Sequence, residues 1–261
     1  MKKKSASPQL TVQSIGGPTT VIEIGGLRLV TDPTFDPPGV YDLGGRMLTK
    51  TTAPALFPEE IGPVDAVLLS HDQHVDNLDR IGRQWLAKVP IVLTTLAASQ
   101  RIEGTTALRN WSHTDLERPG GGSLRITGVP AQHGPDNTEH LVGEVTGFVL
   151  TGDNLPTVYI SGDNASLEVV EDIARQMPAI DIAIIFAGAA RTPLLGEQNL
   201  TLSSEQTAMA AEILGANVVI PVHFEGWEHF TEGADPLRSA FTRAGLDHRL
   251  HLLYPGERLI I

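Results

Sequence analysis

"VDAVLLSHDQHVDNLD" (64–79) joins an apolar run to a dense polar cluster. The run ending at Leu69 reads as a buried strand, and the ten residues 70–79 then carry two histidines, three aspartates, a glutamine and an asparagine. Side chains at the end of a strand are held by a rigid scaffold, so such a cluster can converge on a metal. It can equally be the polar start of a helix, because Asn and Asp cap helix N-termini well.

The neighbouring segments extend the strand reading. "VPIVLTT" (89–95) is a second buried strand, and a helix over 78–87 between the two makes a strand-helix-strand unit. Upstream, "LTVQSI", "TTVIEI" and "LRLVTD" form a β-meander, with Gly25-Gly26 as a hairpin turn that needs positive φ. Downstream, strands are expected over 124–130, 144–150 and 157–161. They precede a helix over 166–177, the strand "DIAIIFAG", a helix capped by Ser203 and the strand "NVVIPVHF". A last helix over 236–244 leads into "LHLLYPGERLII", expected to end as a hairpin, and the glycine-rich "ERPGGGS" (117–123) is a loop tip. Two halves emerge, each a β-rich run followed by helix-strand alternation. They fit an α/β (α+β) fold, a four-layer αββα sandwich forming one domain over 10–261 behind a flexible tail, 1–9.

Composition narrows the chemistry. The 261 residues carry a formal net charge of −12, which removes the long-range field that would attract nucleic acid. There is no cysteine, so any metal must be held by imidazole and carboxylate. The basic start "MKKKSASPQL" has no apolar core behind it, and no run nears the roughly 18 apolar residues of a membrane span. A cytoplasmic protein acting on a small molecule is expected; oligomeric state is not legible.

Four positions repeat one placement, at or just beyond the carboxyl end of an apolar run: the 71–77 cluster, His133 in "VPAQHGP", Asp163 in "VYISGDN" and His223 in "VVIPVHF". Each alone has a structural explanation as a cap, a loop residue or a satisfied interior histidine. Together they suit a divalent cation such as zinc, manganese or iron.

"TTVIEIGGLRLVTDPTF" (19–35), "VDAVLLSHDQHVDNLD" (64–79), "AQHGP" (131–135), "ISGDN" (160–164) and "VIPVHFEGWEHFTEG" (219–233) resemble, in order, the motifs of metallo-β-lactamase-fold hydrolases. The likeness is to the branch that contains L-ascorbate-6-phosphate lactonase and N-acylphosphatidylethanolamine phospholipase D. It implies one or two metal ions, with His133, Asp163 and His223 among the ligands. The family's first motif, S/T-H-x-H-x-D-H, is altered here by one extra residue. His71 with His74 and Asp76 is one way to absorb it, and Asp72 in place of His71 is another. Asn77 stands where the family has its last histidine, and either coordinates weakly or caps the following helix.

If the site is live, the cation supplies hydroxide near neutral pH, and the resemblance gives Asp76 the role of orienting the water and taking its proton. Ester, lactone or phosphodiester hydrolysis of a small metabolite that could carry negative charge is implied. Trp227 and His229 stand on a loop expected beside the site, with Trp227 either walling the pocket or packing the loop. Arg191 either meets an anionic group or is simply solvated. The competing expectation is a metal-depleted binding protein of the same fold. A nuclease is disfavoured by charge.

Overall fold

The computed structural model describes residues 10–44 and 47–261; the expected tail, 1–9, lies outside them. The chain opens with β1 (Leu10–Gly16), β2 (Thr19–Ile24) and β3 (Leu27–Thr31). Gly25 and Gly26, at φ 60° and 87°, make the expected turn between β2 and β3. A hairpin of β4 (Gly39–Asp42) and β5 (Met47–Lys50) follows, then α1 (Pro58–Ile61), β6 (Ala66–Leu68), α2 (Arg80–Leu86), β7 (Val92–Thr94), α3 (Leu96–Ser99) and β8 (Thr106–Ala107). The second half runs β9 (His113–Glu117), β10 (Ser123–Pro130), α4 (Glu139–Val142), β11 (Thr146–Thr151), β12 (Val158–Ile160) and α5 (Leu167–Gln176). It ends with β13 (Ile182–Phe186), α6 (Ser204–Leu214), β14 (Val218–Val222), α7 (Ala234–Arg243) and β15 (Arg258–Ile260).

Two main sheets result, in the orders β15-β1-β2-β3-β6-β7-β8 and β14-β13-β12-β11-β10-β9. Period-two alternation sends one set of side chains into the core between them: Leu29, Leu68 and Leu93 meet Phe148, Ile160 and Ile184. The opposite face of the second sheet, with Ala183, Ile185 and Val219, is covered by α5, α6 and α7. The outer face of the first, with Val30, Val67 and Leu69, packs on Trp85 and Leu86 of α2. Helices therefore flank facing sheets, the sandwich expected of this element order. Parallel pairing of β3, β6 and β7 in one sheet, and of β12, β13 and β14 in the other, aligns the carboxyl ends of strands within each group.

Local signals explain the helix starts. Ser203 caps α6 in a reciprocal capping box with Gln206, and Ser166 caps α5. Two expectations are corrected. Asn77 does not cap the helix after the cluster, because Asp79 does so through Gly82 N, and α2 begins at Arg80. The carboxyl-terminal hairpin does not form: β15 pairs antiparallel with β1, Ile260 opposite Thr11, taking up the open edge of the meander.

Candidate metal centre

The loop after β6 carries His71, His74, Asp76 and Asn77, and its shape answers how the extra residue is absorbed. The chain bends at Asp72 and Gln73, then turns so that Leu78 N donates to His74 O at 2.9 Å. His71 and His74 both point inward, His71 Nε2 lying 3.1 Å from His74 Nδ1. Asp72 points elsewhere: Arg101 Nε donates to its Oδ2 at 3.0 Å, and Arg83 Nη2 approaches the same oxygen at 3.4 Å. Asp72 as an alternative ligand is thereby corrected, since two guanidinium groups already occupy its carboxylate. Burial works to raise its pKa, but Arg101 and Arg83 outweigh it and the net shift is downward.

His133, from the loop after β10, brings Nε2 to 3.2 Å from His74 Nδ1. Its Nδ1 lies 3.0 Å from Leu200 O, a carbonyl that can only accept, so Nδ1 bears the proton and Nε2 offers a lone pair to the cluster. His71 Nδ1 is held at 2.9 Å by Ser70 Oγ. Asp163, beyond β12, brings Oδ2 to 3.9 Å from His71 Nε2. Ligand atoms of His71, His74, His133 and Asp163 all lie within 4.8 Å of one another.

These residues fit a cation. Four-coordinate zinc, with bonds of about 2.0–2.1 Å to nitrogen, separates its nitrogens by about 3.3 Å. The observed 3.1 and 3.2 Å between imidazole nitrogens are close to that edge. Burial and the neighbouring histidines hold His71 well below the usual imidazole range and His133 down to about 3, so both are neutral. Asp163 is pushed well up by burial and by the nearby Asp76 and Asp32. A buried carboxylate in that position is short of positive charge.

Beside this group stand Asp76, His223 and His229. Asp76 Oδ2 lies 3.3 Å from His223 Nε2 and 3.0 Å from His229 Nε2. Burial raises the Asp76 pKa, yet His229 and His223 overcome it and hold it well below the usual carboxylate range. His223, at the end of β14, has φ 56°, a left-handed backbone rare outside glycine, anchored by its N–H donating to Gly17 O at 2.9 Å. Strain at one residue that points into a site is the kind that a surrounding fold maintains for function. Asn77 directs its amide nitrogen to Asp163 Oδ1 at 3.4 Å.

A cavity of about 250 Å³ opens onto both groups, with His74, Asp76, His133 and Asp163 in its floor. Met47, Leu48, Ala190, Pro193 and Leu200 give it apolar walls, and Arg191 and Glu228 are its charged rim. Arg191 Nε is fixed by Asn199 Oδ1 at 2.9 Å. Trp227 does not wall the cavity. It is buried against Tyr41, ring centroids 5.5 Å apart, with Lys50 Nζ 5.7 Å from its ring, so it packs the loop.

The sequence reading passed over Asp32, which accepts Ser70 N at 2.7 Å and so fixes the start of the His71 loop. The aspartate closing the apolar run "LRLVTD" was the available signal. It also passed over the buried pair of Lys50 and Asp79, 3.2 Å apart, which nothing local announces.

Comparison with known proteins identifies the family and the fold. The family described as "Beta-lactamase superfamily domain" matches residues 27–224. A UPF0173 metal-dependent hydrolase of Pyrococcus horikoshii is 26% identical over 217 residues, covering 81% of this chain and 88% of the relative. One from Methanosphaerula palustris is 32% identical over 189 residues, covering 69% and 77%. Among solved structures, an isothiocyanate hydrolase from Delia radicum gut bacteria superposes with a TM-score of 0.80 at 22% identity, over 96% of this chain and 99% of that one.

Proposed function

The chain belongs to the beta-lactamase superfamily, among the UPF0173 metal-dependent hydrolases, and on that basis we propose that it hydrolyses an ester, lactone or phosphodiester of a small metabolite at the His71, His74, His133 and Asp163 cluster. The observation that carries this is the convergence of those four ligand atoms within 4.8 Å at the floor of the cavity. His71, His74, His133 and Asp163 would hold a divalent cation, which would supply Lewis acidity for water and for a carbonyl or phosphoryl group. Zinc, manganese and iron all suit an imidazole and carboxylate set.

The chain's own residues supply the rest. Asp76, kept ionised by its two histidines, accepts a hydrogen bond from a water in the cavity and orients it toward the substrate. Leu200 O and Ser70 Oγ hold the imidazoles of His133 and His71 so that their inward nitrogens stay aimed. Met47, Leu48 and Pro193 shed water around an apolar substrate body. Arg191, its fork oriented by Asn199, faces a negatively charged end of the substrate.

A panel of p-nitrophenyl esters, lactones and bis(p-nitrophenyl) phosphate tests the proposal, and the isothiocyanate hydrolase of similar fold adds an isothiocyanate to it. Turnover of at least one class is expected, lost with a chelator and restored by zinc or manganese. Turnover indifferent to the chelator and to His133→Ala would sink the proposal. Asn77, standing where the resembled motif has a histidine, favours a second reading, a metal-depleted binding protein. That reading requires no turnover on any class.

A further inference from the structure

We propose that Asp72 is a positioning residue for metal binding: clamped by Arg83 and Arg101, it holds the bend that turns both His71 and His74 into the cavity. The inference rests on reading the His71 cluster as the metal site, and it concerns what sets that site's affinity.

Two residues separate His71 from His74, an awkward spacing in a loop that leaves a strand. In extended chain, side chains three positions apart point to opposite sides, so one of the two imidazoles would face away from the cluster. The chain instead bends at Asp72 and Gln73, and His71 Nε2 comes to 3.1 Å from His74 Nδ1. The contacts on those two intervening residues come from outside the cluster.

Asp72 is gripped at both its backbone and its side chain. Arg83 Nη2, from α2, donates to its carbonyl oxygen at 3.0 Å and lies 3.4 Å from Oδ2. Arg101, just beyond α3, donates from Nε to Oδ2 at 3.0 Å and from Nη2 to Oδ1, a two-pronged hold. The Asp72 carboxylate is 3% exposed, whereas the arginines that reach it are 43% and 45% exposed. Gln73 closes the other side of the bend. Its Oε1 accepts Asp72 N at 3.3 Å, and its amide lies so close over Gly143 that a Cβ there would stand 2.5 Å from Nε2. Contacts from α2, from the end of α3 and from the turn that ends α4 therefore meet on the two residues between the histidines. A two-pronged guanidinium-carboxylate pair fixes direction as well as distance. A buried ion pair adds little net stability over a well-packed apolar one, and its best-attested use is to specify one arrangement. The arrangement specified here is the one that brings two ligands together.

Zn²⁺ affinity of the metal-stripped full chain, measured by competition with a chromophoric chelator, tests the proposal, together with the visible absorption of the Co²⁺-loaded protein. Asp72→Ala and Arg101→Gln are each expected to raise the dissociation constant about 10- to 100-fold and to alter the Co²⁺ spectrum. Arg101→Lys, which keeps the charge and loses the fork, should fall between Arg101→Gln and wild type. Asp115→Asn, which breaks the exposed pair of Arg125 and Asp115, 2.8 Å apart on other strands, should leave affinity and spectrum unchanged. Circular dichroism reports folding; if Asp72→Ala does not fold, Arg101→Gln, altered at a half-exposed side chain, is read in its place. Wild-type affinity and spectrum in the folded variants, with only the melting temperature of the metal-free protein lowered, would overturn the positioning role and leave the hydrolase reading standing. A wild type that binds no metal would overturn both.

Discussion

His133 shows how burial sets the chemistry of one residue. It is neutral because burial and the neighbouring His74 drive its pKa down to about 3 from an ordinary 6.5, against the Leu200 carbonyl that works the other way. In the metal-free protein the unfolded chain therefore binds a proton that the folded chain refuses between those two values. Stability from this residue is complete above about pH 6.5 and is lost as pH falls toward about 3. Asp163 pulls oppositely: its pKa is raised, so its contribution is complete below 3.8 and lost as pH rises through the folded value. The comparison of variants isolates the histidine. Melting temperatures of metal-free wild type and His133→Gln, taken at about pH 7 and about pH 4.5, should fall less on acidification in the variant. With metal present, His71→Ala and His133→Ala should each weaken binding by at least about 100-fold in a competition titration. His71, His74, His133, Asp163 and His223 were legible as a group, because each follows or ends an apolar run. The choice between His71 and Asp72 was not, because Arg101 settles it from 29 positions away. His229 was read as a neighbour of the site, since its irregular loop gives no spacing from which to infer its contact with Asp76.

The element that follows the first part of the cluster is α2, and its start is fixed by Asp79. One carboxylate accepts Gly82 N at 2.8 Å, Asp36 N at 2.5 Å and the buried Lys50 ammonium at 3.2 Å. The pair is inaccessible to solvent, and burial alone lowers the Lys50 pKa, with Asp79 partly restoring it. Removing one partner leaves the other charge stranded, so Asp79→Ala should cost about 3–5 kcal/mol in urea denaturation, compared with a few tenths for an exposed charge. Gly82 is required for a different reason. A Cβ there would stand 1.9 Å from Pro33 O, and Gly82→Ala should destabilise by about 1–3 kcal/mol in the same assay despite its better helix propensity. Elements with a strong local signal, such as the continuous apolar run of β13 and the helical apolar spacing of α5, were visible in the sequence. β4 and β5 were not, since their burial alternates weakly and their proline-rich approach carries no pattern. β15 was misassigned to a hairpin because its partner, β1, lies at the other end of the chain.

At the scale of the whole molecule, the centre straddles the two sheets. His71, His74 and Asp76 follow a strand of the first, while His133, Asp163 and His223 follow strands of the second. A cation held between them would tie the halves together and favour the folded chain, which alone brings these ligands into one place. Free metal at about 100 times its dissociation constant should therefore add about 2.7 kcal/mol, seen as a melting temperature that rises with zinc or manganese and falls with chelator. The layered sandwich could be anticipated because it follows from element order. The meeting of the two motif halves in one cavity is a property of the assembled sheets, hinted at in the sequence by the repeated placement at strand ends and by the resemblance. No helix among the described residues is long and apolar enough to cross a membrane. The central claim, that this cluster holds a divalent cation, is tested most directly by the metal content of the purified protein before and after reloading. The account predicts at least one equivalent of zinc, manganese or iron, abolished in the His71→Ala and His133→Ala double variant. A folded wild-type protein that carries no metal and takes none up would contradict it.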